Sequence, residues 1–213
     1  MREVFDSAIH DISVDFLRMQ SLTLEQISKI RSALASGSLL GLHRKIKILD
    51  LEVDRIEIEL ESACLNAIAR HQPMAKDLRF FLLILKSLTD LERVGDYAVH
   101  IAADLEDLSG DLKPSARGDV LPMLGRLADM LERMSYAYTE QDLAAAETVR
   151  EMDDDIDSLY EQLQRSSLTR ILEDPRSLSS SLKINRMARS LERLGDHIVN
   201  IAKRIGYWET GQR

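Results

Sequence analysis

The chain has 213 residues, of which 45% are hydrophobic and 30% charged, a composition that fits a compact protein of one large or two small domains. Its 28 basic and 36 acidic residues give a net charge of −8, which disfavours nucleic acid as a partner. Cys64 is the single cysteine, so an internal disulfide framework is excluded. A charged start and the lack of a long apolar run predict a cytoplasmic protein without direct membrane insertion.

The first half of the chain reads as three helices separated by turn residues. Small and flexible residues at 35–38 end the first helix, and the sequence His-Gln-Pro at 71–73 ends the second. The second helix carries an apolar seam with alternating steps of three and four, formed by Ile46, Leu49, Val53, Ile56, Leu60, Ala63 and Ala67. A longer break at 109–118 ends the third helix and is the predicted domain boundary.

The second half repeats the same order of elements. Breaks at 139–142 and 173–176 divide it into three further helices. No alternating strand pattern competes, and the leucine, alanine, glutamate, arginine and lysine content favours helix. We therefore predict an all-α fold of two tandem antiparallel three-helix bundles, the first over residues 1–108 and the second over 119–213.

An internal repeat supports this duplication. The segment LERVGDYAVHIA at 91–102 returns as LERLGDHIVNIA at 191–202, with eight of twelve residues identical. Earlier in each half, an aspartate-rich segment at 50–54 is matched by another at 153–157. The repeat indicates that the two bundles are related units with the same arrangement of acidic residues.

Each half carries two acidic pairs at spacing i, i+4, which places the members of a pair on one helix face about one turn apart. The four pairs are Asp50 with Asp54, Glu92 with Asp96, Asp153 with Asp157, and Glu192 with Asp196. Two helices that each present such a pair would gather the oxygen ligands that iron, manganese, magnesium or calcium accept. His100 and Asn200, one turn later, are possible additional ligands.

A glycine lies inside each copy of the repeated motif. Gly95 and Gly195 cost about 1 kcal/mol each in helix propensity relative to alanine. A cost incurred twice at the same place indicates close approach of another helix or of a ligand. The alternative for the acidic pairs themselves is a solvated helix face, which is the ordinary role of charged residues at this spacing.

Motifs of the common enzyme classes are missing from the sequence. It has neither of the glycine-rich nucleotide cradles, no H-E-x-x-H, and no recognisable nucleophile system around its cysteine. We therefore predict no catalytic residues and no enzymatic activity.

Two segments of the sequence resemble a known family. The segment 64–79, which ends in Q-P-M-A-K-D-L-R, together with the duplicated L-E-R-x-G-D motif, is similar to the PhoU family of phosphate-transport accessory proteins. The resemblance implies two three-helix bundles and a homodimer. It also implies a multinuclear cluster of iron, zinc, manganese or magnesium at the eight paired acids, although the identity of the metal is left open.

The function implied by the resemblance is that of a regulatory adaptor. Such a protein couples the ATPase subunit of the phosphate ABC transporter to a sensor histidine kinase and represses the phosphate-starvation response. Two alternatives remain open from the residues themselves. One is a metal-dependent phosphohydrolase or another carboxylate-bridged metalloenzyme. The other is a purely structural helical protein whose acids are solvated.

Overall fold

The described part of the chain forms six long α-helices, as the sequence predicts. It is a computed structural model that describes residues 2–110 and 112–212. The helices are α1 (Arg2–Ser36), α2 (Leu42–His71), α3 (Ala75–Asp107), α4 (Pro114–Glu140), α5 (Leu143–Glu173) and α6 (Leu178–Thr210), and a short 3₁₀ turn at Pro175–Ser177 precedes α6. None of the described helices combines the length and the apolar character that crossing a membrane requires.

The break between the two halves is shorter than predicted. Helix α4 begins at Pro114, inside the predicted break at 109–118 and ahead of the predicted start of the second bundle at residue 119. Proline is well suited to the first helical position, because its φ is already helical and its missing N–H would have no partner there. Asp111, also in the predicted break, lies outside the described residues.

The two halves share one apolar core. Helices α2 and α5 contact helices of their own half only, whereas α1 packs on α4 and α3 packs on α6 across the halves. Helices α3 and α6 are antiparallel, since Lys76 at the start of α3 pairs with Glu209 at the end of α6. At the other end, Asp104 pairs with Arg186. The four inner helices thus form the contact between the bundles, and α2 and α5 form its two outer sides.

Aromatic side chains fill one end of this contact. The rings of Phe16 on α1 and Tyr138 on α4 have centroids 5.0 Å apart. Trp208 on α6 lies 5.7 Å from Tyr138 and 5.7 Å from Phe80 on α3. The tyrosine hydroxyl is also within 2.8 Å of the Ser13 hydroxyl, so its polar end is satisfied inside the core.

A buried carboxylate lies in the middle of the contact between α3 and α6. The side chain of Asp90 is 8% exposed; one oxygen is 2.6 Å from His197 Nδ1, and the other accepts a hydrogen bond from Arg204. Burial acts to raise the pKa of Asp90, but the hydrogen bonds from His197 and Arg204 outweigh it and lower the pKa. The ionised carboxylate therefore stabilises the contact between the two halves.

Replacing Asp90 with asparagine removes this charge while keeping the shape of the side chain. We expect Asp90→Asn to lower the free energy of unfolding at pH 7 by about 1–3 kcal/mol. Because the folded pKa is depressed, the contribution is present above the ordinary aspartate pKa of 3.8 and is lost as the pH falls through the lower folded value. Urea denaturation at pH 7 and at acidic pH measures both effects.

The matched control for this change is Asp107→Asn. Asp107 also pairs across the two helices, with Lys183 at 3.4 Å, but its side chain is 68% exposed. We expect a change below about 1 kcal/mol for this exposed pair. Equal losses for the two variants would show that the buried carboxylate has no special role.

Candidate functional site in two carboxylate clusters

The paired acids of the first half come together between α2 and α3. Burial, and then neighbouring carboxylates that include Asp96 of α3, raise the pKa of Asp54 and of Glu57 on α2. The acids of the two helices therefore act on one another, as the spacing predicts. We call the group the α2–α3 cluster; it consists of Asp50, Asp54, Glu57, Glu92 and Asp96.

Asp50 is the most buried member of this cluster, at 1% exposure. Lys47, one turn earlier on α2, donates to one carboxylate oxygen at 2.7 Å. Gln26 of α1 donates to the other at 3.4 Å. The carboxylate is thus partly neutralised inside the bundle, and it is the least accessible to a ligand from solvent.

The repeated glycine explains how Asp50 is accommodated. A Cβ atom built on Gly95 would lie 2.6 Å from Asp50 Oδ1. In the second half, a Cβ on Gly195 would lie 2.9 Å from Asp153 Oδ1. Each glycine therefore lets an aspartate of the neighbouring helix approach the backbone, which confirms the close approach of a helix that the sequence indicates.

Glu92 and Asp96 form the more accessible edge of the α2–α3 cluster. Burial, followed by the charge of Asp96, raises the pKa of Glu92 to about 7. Arg93 opposes this shift, since its guanidinium lies 3.5 Å from both carboxylates. The arginine is more than half exposed, so these contacts add little stability.

The second half forms the α5–α6 cluster, which consists of Asp153, Asp157, Glu192 and Asp196. Burial, and then the charges of Asp157, Asp196 and Glu192, raise the pKa of Asp153 to about 6. Burial and then the charge of Asp196 raise the pKa of Glu192 as well. A cavity of about 290 Å³ opens beside Glu192 and Asp196 and is also lined by Tyr160 and two arginines.

The two clusters differ in what lies beside the motif glycine. Next to Gly95 the neighbouring side chain is the polar Gln26, whereas next to Gly195 it is the apolar Leu127 together with Ile156. Gln26 donates a hydrogen bond to Asp50, and neither of the two aliphatic side chains can do so for Asp153. Helix α1 thus supplies a polar partner that α4 does not, although the acidic motifs are repeated.

The donor chemistry of both clusters suits an oxygen-preferring cation, which would relieve the repulsion that raises these pKa values. In the described part of the chain, however, no three histidine, cysteine, aspartate or glutamate side chains converge closely enough to form a ready metal site. His100 is exposed on α3, and the Asn200 side-chain amide donates to Asp90 at 3.4 Å. Metal binding by the eight acids and by these two residues stays a prediction.

Sequence reasoning did not find the residues that hold Asp50. Lys47 was visible as a basic residue three positions before an acid, a spacing that places both on one helix face. Gln26 gives no such signal, because it lies on another helix and contacts the aspartate only after the bundle has formed. Leu127 likewise gives no signal, because it lies on α4 and approaches Gly195 only after the bundle has formed.

Two related three-helix bundles, each with a glycine-backed carboxylate cluster, define the class of protein to which this chain belongs. A family model described as the PhoU domain matches it twice, over residues 16–105 and 120–205. The chain belongs to the PhoU family.

Individual relatives agree with this assignment over the whole length. The chain is 41% identical to a phosphate-specific transport system accessory protein PhoU homolog of Deinococcus radiodurans, with 100% of both chains covered. The crystal structure of PhoU from Pseudomonas aeruginosa superposes with a TM-score of 0.92 at 31% identity, covering 98% of this chain and 100% of that one. The PhoU structure from Streptococcus pneumoniae, described as a phosphate transport system regulatory protein, gives 0.88 at 28% identity and covers 98% of each chain.

The approach of Asp50 to Gly95 predicts a penalty for any side chain at this glycine. We expect Gly95→Ala to lower the free energy of unfolding by about 1–3 kcal/mol, because the buried carboxylate must shift. Gly118→Ala in α4 is the matched control: its Cβ would meet nothing within 4 Å, so we expect a gain of up to about 1 kcal/mol from helix propensity. Urea denaturation measures both.

A double-mutant cycle identifies the cause of that penalty. In the Asp50→Ala background the clash is absent, so Gly95→Ala should cost less there than in the parent protein. If the two glycine variants proved equally stable, or if the cost were the same in both backgrounds, the close approach would not explain the glycine.

Proposed function

We propose that this protein is an accessory regulator of phosphate transport that couples the phosphate ABC transporter to a sensor histidine kinase and represses the phosphate-starvation response. The observation that carries the proposal is the full-length match to a protein named as an accessory of the phosphate-specific transport system. The regulatory adaptor is the function that the sequence resemblance implies. We also propose that the protein is a cytoplasmic homodimer. In this proposal it does not bind nucleic acid and does not insert into the membrane.

The outer face of α2 supports a docking role. Four large aliphatic side chains, Ile48, Leu51, Ile58 and Leu65, are each at least 55% exposed and follow one another at spacings of three and seven. Such a row is typical of a surface that receives an amphipathic helix. Glu52 and Glu59 flank the row and both pair with Arg55 of the same helix, so the partner helix we propose is recognised mainly through its apolar seam.

We also propose that the paired acids bind metal. Iron, zinc, manganese and magnesium all remain candidates, because oxygen ligands accept several cations. Glu92 and Asp96 are partly exposed and can turn toward a cation, whereas Asp50 is already held by Lys47 and Gln26. A bound cation would offset the repulsion among the carboxylates and link the two helices of each cluster.

Elemental analysis tests this metal proposal. We expect the purified protein to retain metal by inductively coupled plasma mass spectrometry, and we expect a variant with Glu92, Asp96, Glu192 and Asp196 changed to their amides to lose it. The control variant changes the exposed Asp15, Asp129, Glu132 and Glu140 to amides, which removes the same charge elsewhere. Circular dichroism confirms that all three are folded. Absence of metal from the native protein even after reconstitution would contradict the proposal.

A genetic experiment tests the regulatory proposal. We expect deletion of the gene to raise expression of a phosphate-starvation reporter in phosphate-rich medium, and the native gene to restore repression. Leu51→Ser with Ile58→Ser should restore it poorly and should weaken co-purification of the transporter ATPase subunit or the kinase. Val4→Ser with Val14→Ser, which removes exposed valines from α1, is the control. An unchanged reporter in the deletion strain would overturn the proposal.

The metal-dependent phosphohydrolase remains the alternative function. It requires turnover of a phosphate ester such as p-nitrophenyl phosphate by the metal-loaded protein, lost in Glu92→Gln. Turnover that is absent from the native protein, or unaffected by this change, leaves the adaptor as the function.

A further inference from the structure

A groove between α3 of the first half and two helices of the second half has the dimensions of a small-molecule site. It lies between α3, the beginning of α5 and the end of α6, and its volume is about 620 Å³. Pockets that hold small ligands generally span about 300–1,000 Å³. The carboxylate clusters do not line this groove, so it is a separate candidate site.

The groove concentrates positive charge in a protein whose net charge is −8. Four basic side chains from three helices line it, namely Lys86, Arg150, Lys203 and Arg204. Glu147 is the single acidic residue among the described lining residues, and it pairs with Arg150 at 2.6 Å. Arg204 is bound by the buried Asp90.

The two lysines provide the positive charge that no ion pair holds. Within the described residues, neither Lys86 nor Lys203 forms an ion pair or a hydrogen bond, although the charge of Lys203 also acts on Asp153. Two ammonium groups on different helices, at the edge of one groove, suit a ligand group that carries about two negative charges, as a phosphate monoester does near neutral pH. A single carboxylate would leave one of these charges unmatched.

Aliphatic side chains form part of the remaining lining of the groove. Leu82 of α3 and Leu143 of α5 are 36% and 44% exposed there, so the site presents aliphatic surface beside its charges. Gly206 of α6 lines the same space, and a Cβ atom on it would meet nothing within 4 Å. An organic group attached to the phosphate can therefore occupy the space above the leucines.

From these features we infer that the groove binds an organic phosphate, with the phosphoryl group between Lys86 and Lys203 and the organic part against Leu82, Leu143 and the space left by Gly206. The lysine charges select the phosphoryl group, and the aliphatic surface selects the organic part of the ligand. This inference goes beyond the proposed regulatory function, and its test needs neither the transporter nor the kinase.

The first experiment measures binding to the full-length protein directly. We expect saturable fluorescence titration with methylanthraniloyl-labelled ADP, and displacement of the label by ADP. We also expect thermal stabilisation by ADP, AMP or glucose 6-phosphate. Absence of saturable binding together with absence of stabilisation by all three would overturn the inference. So would displacement by adenosine as effective as that by ADP, or displacement by inorganic phosphate as effective as that by ADP.

Filling the groove tests its location. Gly206→Leu places a side chain in open space and improves helix propensity, so we expect a folded protein whose affinity for labelled ADP falls by about tenfold or more. Gly118→Leu adds the same side chain to another open helical position outside the groove and should leave affinity unchanged. Equal affinities of the two variants would place the ligand elsewhere.

Removing the two charges tests the phosphoryl site. We expect Lys86→Gln with Lys203→Gln to weaken binding of labelled ADP by about tenfold or more and to reduce its salt dependence. Lys29→Gln with Lys45→Gln makes the same change in net charge outside the groove and should bind normally. A loss of the same size in the control would show a general electrostatic effect and overturn the assignment.

Discussion

The antiparallel contact between α3 and α6 is the constraint on which the rest of the structure depends. These helices carry the two copies of the repeated motif and pack against each other, whereas α2 and α5 take no part in the contact between the halves. Asp90 is buried in this contact, and Arg204 and His197 compensate its charge there. A buried carboxylate without such partners would be strongly destabilising. The contact turns two small helical units, each with a limited core, into one continuous core.

That arrangement also determines where the carboxylate clusters form. With α3 and α6 in the centre, each motif glycine receives an aspartate from the outer helix of its own half. The two clusters are nonetheless unequal. In the first, Lys47 and Gln26 donate hydrogen bonds to the buried aspartate, and in the second the side chains beside the glycine are the aliphatic Leu127 and Ile156. A cation would therefore meet a partly neutralised cluster in one half and a cluster backed by apolar side chains in the other.

Positive and negative side chains occupy different parts of the surface around α5 and α6. Acids gather between α5 and α6, while the groove formed by α3, α5 and α6 gathers lysine and arginine. Lys203 links the two regions, because it lines the groove and its charge also acts on Asp153. The charge of this one lysine is therefore shared between the groove and the α5–α6 cluster.

Local patterns in the sequence determined the helices and the acidic pairs. The seam from Ile46 to Ala67, the turn residues between helices and the spacing of Glu92 and Asp96 are all set within a few turns of one helix, so periodicity was sufficient to predict them. The predicted start of α4 was too late, because Pro114 lies among turn-forming residues and was interpreted as part of the break. Proline is nevertheless favoured at the first helical position. The glycines indicated a close approach but did not identify what approaches.

Tertiary structure alone decided which residues support and distinguish the sites. Gln26 reaches Asp50 from another helix, Arg204 reaches Asp90 from the other half of the chain, and Lys86 shares a groove with Lys203 although they are far apart in sequence. No local period relates such residues, because their contact depends on how whole helices pack. The sequence therefore determined the fold class, the family and the acidic pairs, whereas helix packing decided the charge balance of each cluster and created the groove.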